Sequence, residues 1–275
     1  MPKVLRMFRE PKRNRKFQRG VYLLPGMFTV ANMFCGWACV VYSMRGEFFT
    51  AAPLVAIAMV LDTLDGRIAR MTGATSEFGE EFDSLADIVS FGVAPAVLVF
   101  SWGLESLGRL GWAVGFLYIT AAAIRLARFN IHGKSDDKRF FVGLPSPAAA
   151  GMIAATVFAF PSGLNQVTHA LAGLPLVLVP AGLMVSRLRF RSFGALIPGA
   201  RQPSLSLLFI AGVIGAIAIQ PQVVLFMMAY TYVSFGVVAH VLFRGRSWSS
   251  ATKGSHEESS NRGKSDLDDL SKVAR

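Results

Sequence analysis

The chain has 275 residues, of which 53% are hydrophobic and only 16% charged, with a mean hydropathy of +0.46. Soluble domains carry about 25% charged residues, so this composition excludes an ordinary soluble protein and points to a membrane one. The net charge of +11 does not signal nucleic-acid binding, because no nucleic-acid-binding motif accompanies it and the basic residues follow the membrane topology below.

In chain order, a basic arm over 1–21 precedes an apolar stretch too long for a cleaved secretory signal. Hydropathy and turn punctuation predict eight helices, roughly 22–44, 49–71, 83–104, 110–130, 145–162, 170–187, 204–220 and 222–243. The first six spans are strong. The last two are separated only by Gln220-Pro221-Gln222. The expected architecture is an all-α polytopic bundle, a six-helix core plus two further C-terminal spans, within a membrane domain over 22–245. The polar tail over 246–275 is expected to be disordered.

Orientation follows from the basic residues. If the N-terminus is cytoplasmic, all but two of the 28 Lys and Arg residues, Arg45 and Arg109, fall on the cytoplasmic side. Both termini are therefore expected inside, which requires an even number of spans. The arm can also meet anionic lipid headgroups. Cys35 and Cys39, one turn apart in the first helix, support neither a disulfide framework nor a zinc site.

Four carboxylates interrupt the apolar pattern where helices 2 and 3 meet. Asp62 and Asp65 are spaced i, i+3 at the end of one helix, and Asp83 and Asp87 i, i+4 at the start of the next, so each pair shares a face. A carboxylate near hydrocarbon costs roughly 2.5–3.5 kcal/mol on insertion scales. A short connection lets all four converge, and a hard divalent cation, Mg2+ or Mn2+, offsets the cost. Gly66 and Gly79 leave room for a ligand, and Arg70 can bond phosphate. Metal, arginine and small residues together suggest a diphosphate-bearing substrate.

The whole pattern, Asp-x2-Asp-Gly-x2-Ala-Arg-x8-Gly-x3-Asp-x3-Asp from Asp62 to Asp87, resembles the signature of the CDP-alcohol phosphotransferase family. That resemblance implies a membrane enzyme that cleaves a CDP-linked donor, releases CMP and passes a phosphate-bearing group to an alcohol. It implies metal ligation by Asp62, Asp65, Asp83 and Asp87, with Asp87 also the general base. Gly66, Arg70 and Gly79 would lie along the CDP moiety, and Ser76 would touch nucleotide or phosphate. The first helix, Pro25-Gly-Met-Phe-Thr29-Val-Ala-Asn32, is similar to the family's first-helix pattern. Thr29 and Asn32 then contact the nucleotide, although polar groups of this kind equally serve helix packing.

The acceptor is read from the second half. Arg125-Leu-Ala-Arg-Phe-Asn130, Gly143-Leu-Pro-Ser-Pro147 and Ser186-Arg-Leu-Arg-Phe-Arg-Ser192 resemble the phosphatidylserine synthase branch. The substrates implied are CDP-diacylglycerol and L-serine, and the resemblance favours a homodimer. Arg125, Arg128, Asn130 and Ser146 are the candidate serine-binding residues. The alternative for the arginines is interfacial anchoring of helix 4.

Three other functions compete. The first is the same chemistry with glycerol 3-phosphate, an inositol phosphate or choline as acceptor. The second is an intramembrane prenyltransferase, which would need a second Asp-rich motif; Asp136-Asp137 lies in a polar loop. The third is a carboxylate-relay transporter. The compact chain suits a bacterial inner membrane, with the site facing the cytoplasm.

Overall fold

A computed structural model describes residues 15–73, 76–132, 140–164, 166–186, 189–191 and 203–238. The basic arm before residue 15 and the polar tail lie outside the described residues.

Helix α1 (Arg15–Met44) turns at Gly46, whose φ of 75° lets Glu47 donate back to the Tyr42 carbonyl at 3.0 Å. It begins before 22 because hydropathy marks only the apolar stretch, whereas Arg and Lys extend a helix readily past it. Helix α2 (Phe48–Thr72) stops at Gly73, left-handed with φ 66°, whose N–H reaches the Ala69 carbonyl.

The third predicted helix starts at Glu77 rather than at 83. Ser76 caps it, accepting from the Gly79 N–H at 3.0 Å, and Glu77 and Glu80 sit in the first turn where the helix dipole favours anions. This polar opening turn is invisible to hydropathy. The helix runs as α3 (Glu77–Asp87), a π-helical turn (Ile88–Val93) and α4 (Ala94–Trp102). Pro95 has no N–H for the Phe91 carbonyl four residues back. The buried Tyr118 hydroxyl donates to that carbonyl instead, at 3.2 Å.

After a 3-10 turn (Leu104–Leu107) come α5 (Arg109–His132), α6 (Ser146–Ala159), α7 (Val167–Val185), α8 (Pro203–Ile219) and α9 (Pro221–Val238). All eight predicted helices are therefore present in order. Among the described residues, six are long and apolar enough to cross a membrane: α1 from Gly26, α2, the continuous α3–α4, α5, α7 and α9. Helix α6 has 14 residues, about 21 Å at 1.5 Å per residue, shorter than a bilayer core of about 30 Å. It is apolar all round and almost wholly buried, the pattern of a helix enclosed by protein. Helix α8, with 17 residues, is the other one outside the six, and the protein is an integral membrane one.

The all-helical expectation holds, with one small addition among the described residues. Strand β1 (Phe140–Val142) pairs antiparallel with β2 (Arg189–Arg191), Phe141 opposite Phe190. The ribbon ties the connection before α6 to the one after α7. Beside it Gly143 has φ 85°, and a Cβ there would lie 2.5 Å from the Met184 carbonyl oxygen, so no other residue fits without strain.

The core runs between α1, α2, α4, α5, α6 and α7, with Cys35 and Cys39 buried in it as free thiols. Helix α1 lies close against the π turn. A Cβ on Gly36 would lie 2.7 Å from Ser90 Oγ and 2.8 Å from Ser90 Cα. Ser90 Oγ in turn donates to the Asn32 carbonyl at 3.0 Å. Small residues permit such crossings in membranes. Gly36→Ala is expected to destabilise the fold by about 1–3 kcal/mol, read as a lower thermal midpoint in detergent. An unchanged midpoint would mean that α1 can move off Ser90.

Candidate active site

Helix α2 delivers its carboxylates at its C-terminal end and α3 at its N-terminal end, so the turn between them brings both pairs to one end of the bundle. Carboxylate oxygens of Asp62, Asp83 and Asp87 lie within 4.8 Å of one another. Three like charges at that spacing repel by roughly 3 kcal/mol per pair at an effective dielectric constant of about 20. Among the described residues, Oδ1 of Asp83 and Oδ1 of Asp87 are buried without a hydrogen-bond partner. Clustered, under-bonded hard oxygens are a donor set suited to a divalent cation.

Asp65 lies outside this group of three. It is 4% exposed and accepts a hydrogen bond from Thr29 Oγ1 at 3.1 Å. Thr29, expected at the nucleotide, thus directs its one hydroxyl proton to Asp65. The spacing i, i+3 puts Asp62 and Asp65 on one face, but α1 approaches that face and takes one of the two. One turn along α1, Asn32 is fully buried, and its side-chain amide has no partner for either nitrogen or oxygen. An unsatisfied buried amide is costly, which fits a group awaiting a ligand.

Arg125, on α5, is the cation that faces the cluster. It interacts electrostatically with Asp87 and Asp62, and its Nη1 donates to Ser146 Oγ, at the start of α6, at 2.7 Å. Gly66 faces open space, for a Cβ there would meet only Arg70 Nη2, at 3.9 Å. Arg70 is exposed and bends back so that Nε donates to the Gly66 carbonyl at 2.8 Å.

The residues expected at the site therefore divide. Asp62, Asp83, Asp87, Arg125 and Ser146 come together, with Asp65, Thr29 and Asn32 beside them on α2 and α1. Three others have structural bonds. Arg128 Nη1 donates to the Val185 carbonyl at 2.7 Å, linking α5 to α7. Asn130 Nδ2 donates to Ser84 Oγ at 3.0 Å, linking α5 to α3. The Ser76 hydroxyl caps α3 through the Gly79 N–H. Residues three apart share a helix face, so spacing alone does not separate Arg125 from Arg128. The neighbouring helices do, each claiming one of the two.

The CDP-alcohol phosphatidyltransferase family model matches residues 22–186. The chain belongs to the CDP-alcohol phosphatidyltransferase family. Members of this family depend on a metal in general, and the acidic cluster is able to hold one. Similar proteins include the CDP-diacylglycerol–serine O-phosphatidyltransferase of Helicobacter pylori (strain ATCC 700392 / 26695), 40% identical over 179 residues, covering 63% of this chain and 73% of that protein. The protein of the same name from Bacillus subtilis (strain 168) is 32% identical over 170 residues, 62% of this chain and 90% of its own length. An archaetidylserine synthase from Methanothermobacter thermautotrophicus (strain ATCC 29096 / DSM 1053 / JCM 10044 / NBRC 100330 / Delta H) is 36% identical over 129 residues, 46% of this chain and 54% of its own.

Two features of this family member escape sequence reasoning. The π turn follows Asp87 directly and seats Ser90 against α1; its one signal is Pro95, which orphans the Phe91 carbonyl. Tyr232, on α9, is buried in the core; one tyrosine in an apolar helix carries no signal of its own.

Proposed function

We propose that the enzyme transfers the phosphatidyl group of CDP-diacylglycerol to the hydroxyl of L-serine, giving phosphatidylserine and CMP. The observation that carries this reading is the pairing of the Asp62–Asp83–Asp87 cluster with Arg125 and Ser146 at one end of the bundle. The names of the similar proteins support serine as the acceptor.

Asp62, Asp83 and Asp87, with Asp65 behind them, would hold Mg2+ or Mn2+. When bound, such an ion offsets the charge of the diphosphate and of the departing CMP. Gly66 lets the diphosphate approach α2. Arg70 and Asn32 offer donors to phosphate and nucleotide, and Gly79 keeps the opposite wall low. Arg125 receives the serine carboxylate, with Ser146 fixing the guanidinium from one side. Asp87 takes the proton of the serine hydroxyl. The serine oxygen forms a bond to the phosphorus that carries diacylglycerol, and the bond from that phosphorus to the bridging oxygen breaks, its electron pair leaving with CMP. Arg128, Asn130 and Ser76 act by holding helices α5, α7 and α3 in place.

The enzyme belongs in this reading to a bacterial inner membrane, with both termini and the aspartate end of the bundle at the cytoplasm. Arg45 and Arg109, at the remote helix ends, then face outward, the two exceptions to the basic cytoplasmic side. A homodimer is the proposed assembly. The basic N-terminal arm, the membrane domain and the polar tail are its three parts.

Membranes containing the protein, supplied with CDP-diacylglycerol, test the acceptor. CMP release and labelled phosphatidylserine are expected with serine, and neither with glycerol 3-phosphate, inositol phosphate or choline. Faster CMP release with one of those alcohols than with serine would reassign the acceptor.

A further inference from the structure

Arg125 and Arg128 stand one turn apart on α5 and bond to different elements. Arg125 Nη1 donates to Ser146 Oγ at the start of α6, and Arg128 Nη1 to the Val185 carbonyl at the end of α7, both at 2.7 Å. Between those two points the chain ahead of α6 crosses the end of α7. The Leu144 N–H donates to the Leu183 carbonyl at 3.0 Å. Gly143, at φ 85°, lies so close that a Cβ would stand 2.5 Å from the Met184 carbonyl oxygen and 3.3 Å from that of Ser186. The β1–β2 pair joins the same two segments, Val142 opposite Arg189.

The crossing sets how far Ser146 stands from α7, and the Arg128 bond sets how far α5 stands from it. The link from Gly143 to Ser146 has little slack. Leu144 is fully buried, and the ring of Pro145 holds φ at −58°. A displacement at Gly143 is therefore carried to Ser146 rather than absorbed. Ser146 is itself buried and bonded to Arg125, whose planar guanidinium recognises a carboxylate only at a set angle. Groups that dock a ligand must be held within about 0.5 Å of their working positions.

We propose that Gly143 and Arg128 are positioning residues for the acceptor. Together they clasp the start of α6 and the side of α5 onto the end of α7, and so hold Ser146 where it sets the Arg125 guanidinium for the serine carboxylate. The proposal rests on the serine reading above. It makes the end of α7 the common reference for both halves of the acceptor dock.

Steady-state kinetics of the full chain in detergent micelles, with CDP-diacylglycerol and serine, test it. Gly143→Ala adds a methyl group at the crossing. It is expected to raise the KM for serine about tenfold while kcat and the KM for CDP-diacylglycerol stay within a factor of about two. Arg128→Gln opens the clasp from the α5 side and is expected to raise the serine KM about threefold, again with the donor KM kept. Ser146→Ala also raises the serine KM, and adding Gly143→Ala to it has no further effect. An unchanged serine KM in either folded variant, or fully additive losses in the double variant, overturns the proposal. So does a fall in kcat with both KM values altered, the signature of a merely structural clasp. If Gly143→Ala does not fold, Arg128→Gln decides: a raised serine KM supports the clasp and an unchanged one overturns it. If the unaltered chain turns over serine and both variants match it, only the clasp falls. If the unaltered chain releases no CMP with serine, the acceptor reading falls and this proposal with it.

Discussion

Asp87→Asn is expected to lower CMP release by about 100- to 10,000-fold, the contribution of a positioned general base. Asparagine has the same shape, so packing against the π turn should survive. What it loses is the negative charge and the ability to take a proton. Asp87 is suited to the task because one of its oxygens is buried without a protein partner and Arg125 lies in electrostatic range. Its position directly before the π turn (Ile88–Val93) holds the carboxylate on a backbone tied to α1 by Ser90 and to α5 by Tyr118. The measurement is single-turnover CMP release with bound CDP-diacylglycerol, beside a donor-binding assay. Loss of turnover with donor binding kept assigns the proton-transfer role. Recovery of activity at raised metal concentration would reduce Asp87 to a ligand only, and near-normal turnover would remove it from the chemistry.

Removing divalent metal is expected to abolish turnover, and returning Mg2+ or Mn2+ to restore it. The same cluster predicts an effect that needs no turnover. Asp62, Asp83 and Asp87 crowd their oxygens within 4.8 Å, so a cation should stabilise the fold. An ion at 100 times its Kd adds about 2.7 kcal/mol, read as a higher thermal midpoint in detergent. Asp62→Asn and Asp83→Asn each remove one repelling charge. The metal-free variants should therefore melt above the metal-free parent, yet gain less from Mg2+. A parent midpoint indifferent to Mg2+ and Mn2+ would argue against a metal at these aspartates. Activity of Asp62→Asn at unchanged metal concentration would argue against that ligand alone.

Both predictions concern residues that the amino-acid sequence makes legible. Asp62, Asp83 and Asp87 stand out because charge in an apolar chain must have a compensating reason, and the i, i+4 spacing of the last two survives folding unchanged. The eight helices are legible for a similar reason, since runs of apolar residues have few alternatives in a membrane. Less legible are contacts made across helices. Nothing local to Thr29 says that its hydroxyl meets Asp65, 36 positions away. Nothing in Arg125-Leu-Ala-Arg-Phe-Asn130 says that Arg125 turns to Ser146 while Arg128 and Asn130 brace α7 and α3. Hydropathy places α6 but says nothing of its burial, since its 14 residues form a short helix enclosed by its neighbours.

The sequence by itself determined a polytopic helical protein, the place of its acidic cluster and the family signature across it, because hydropathy and helical spacing are properties of neighbouring residues. Only the tertiary structure decided which polar groups share the site. It bonded Asp65 to Thr29 of α1, and it turned Arg125 to Ser146 and Arg128 to the Val185 carbonyl. Those choices depend on which helix faces which, and each is made by desolvated polar groups that must find partners wherever packing places them.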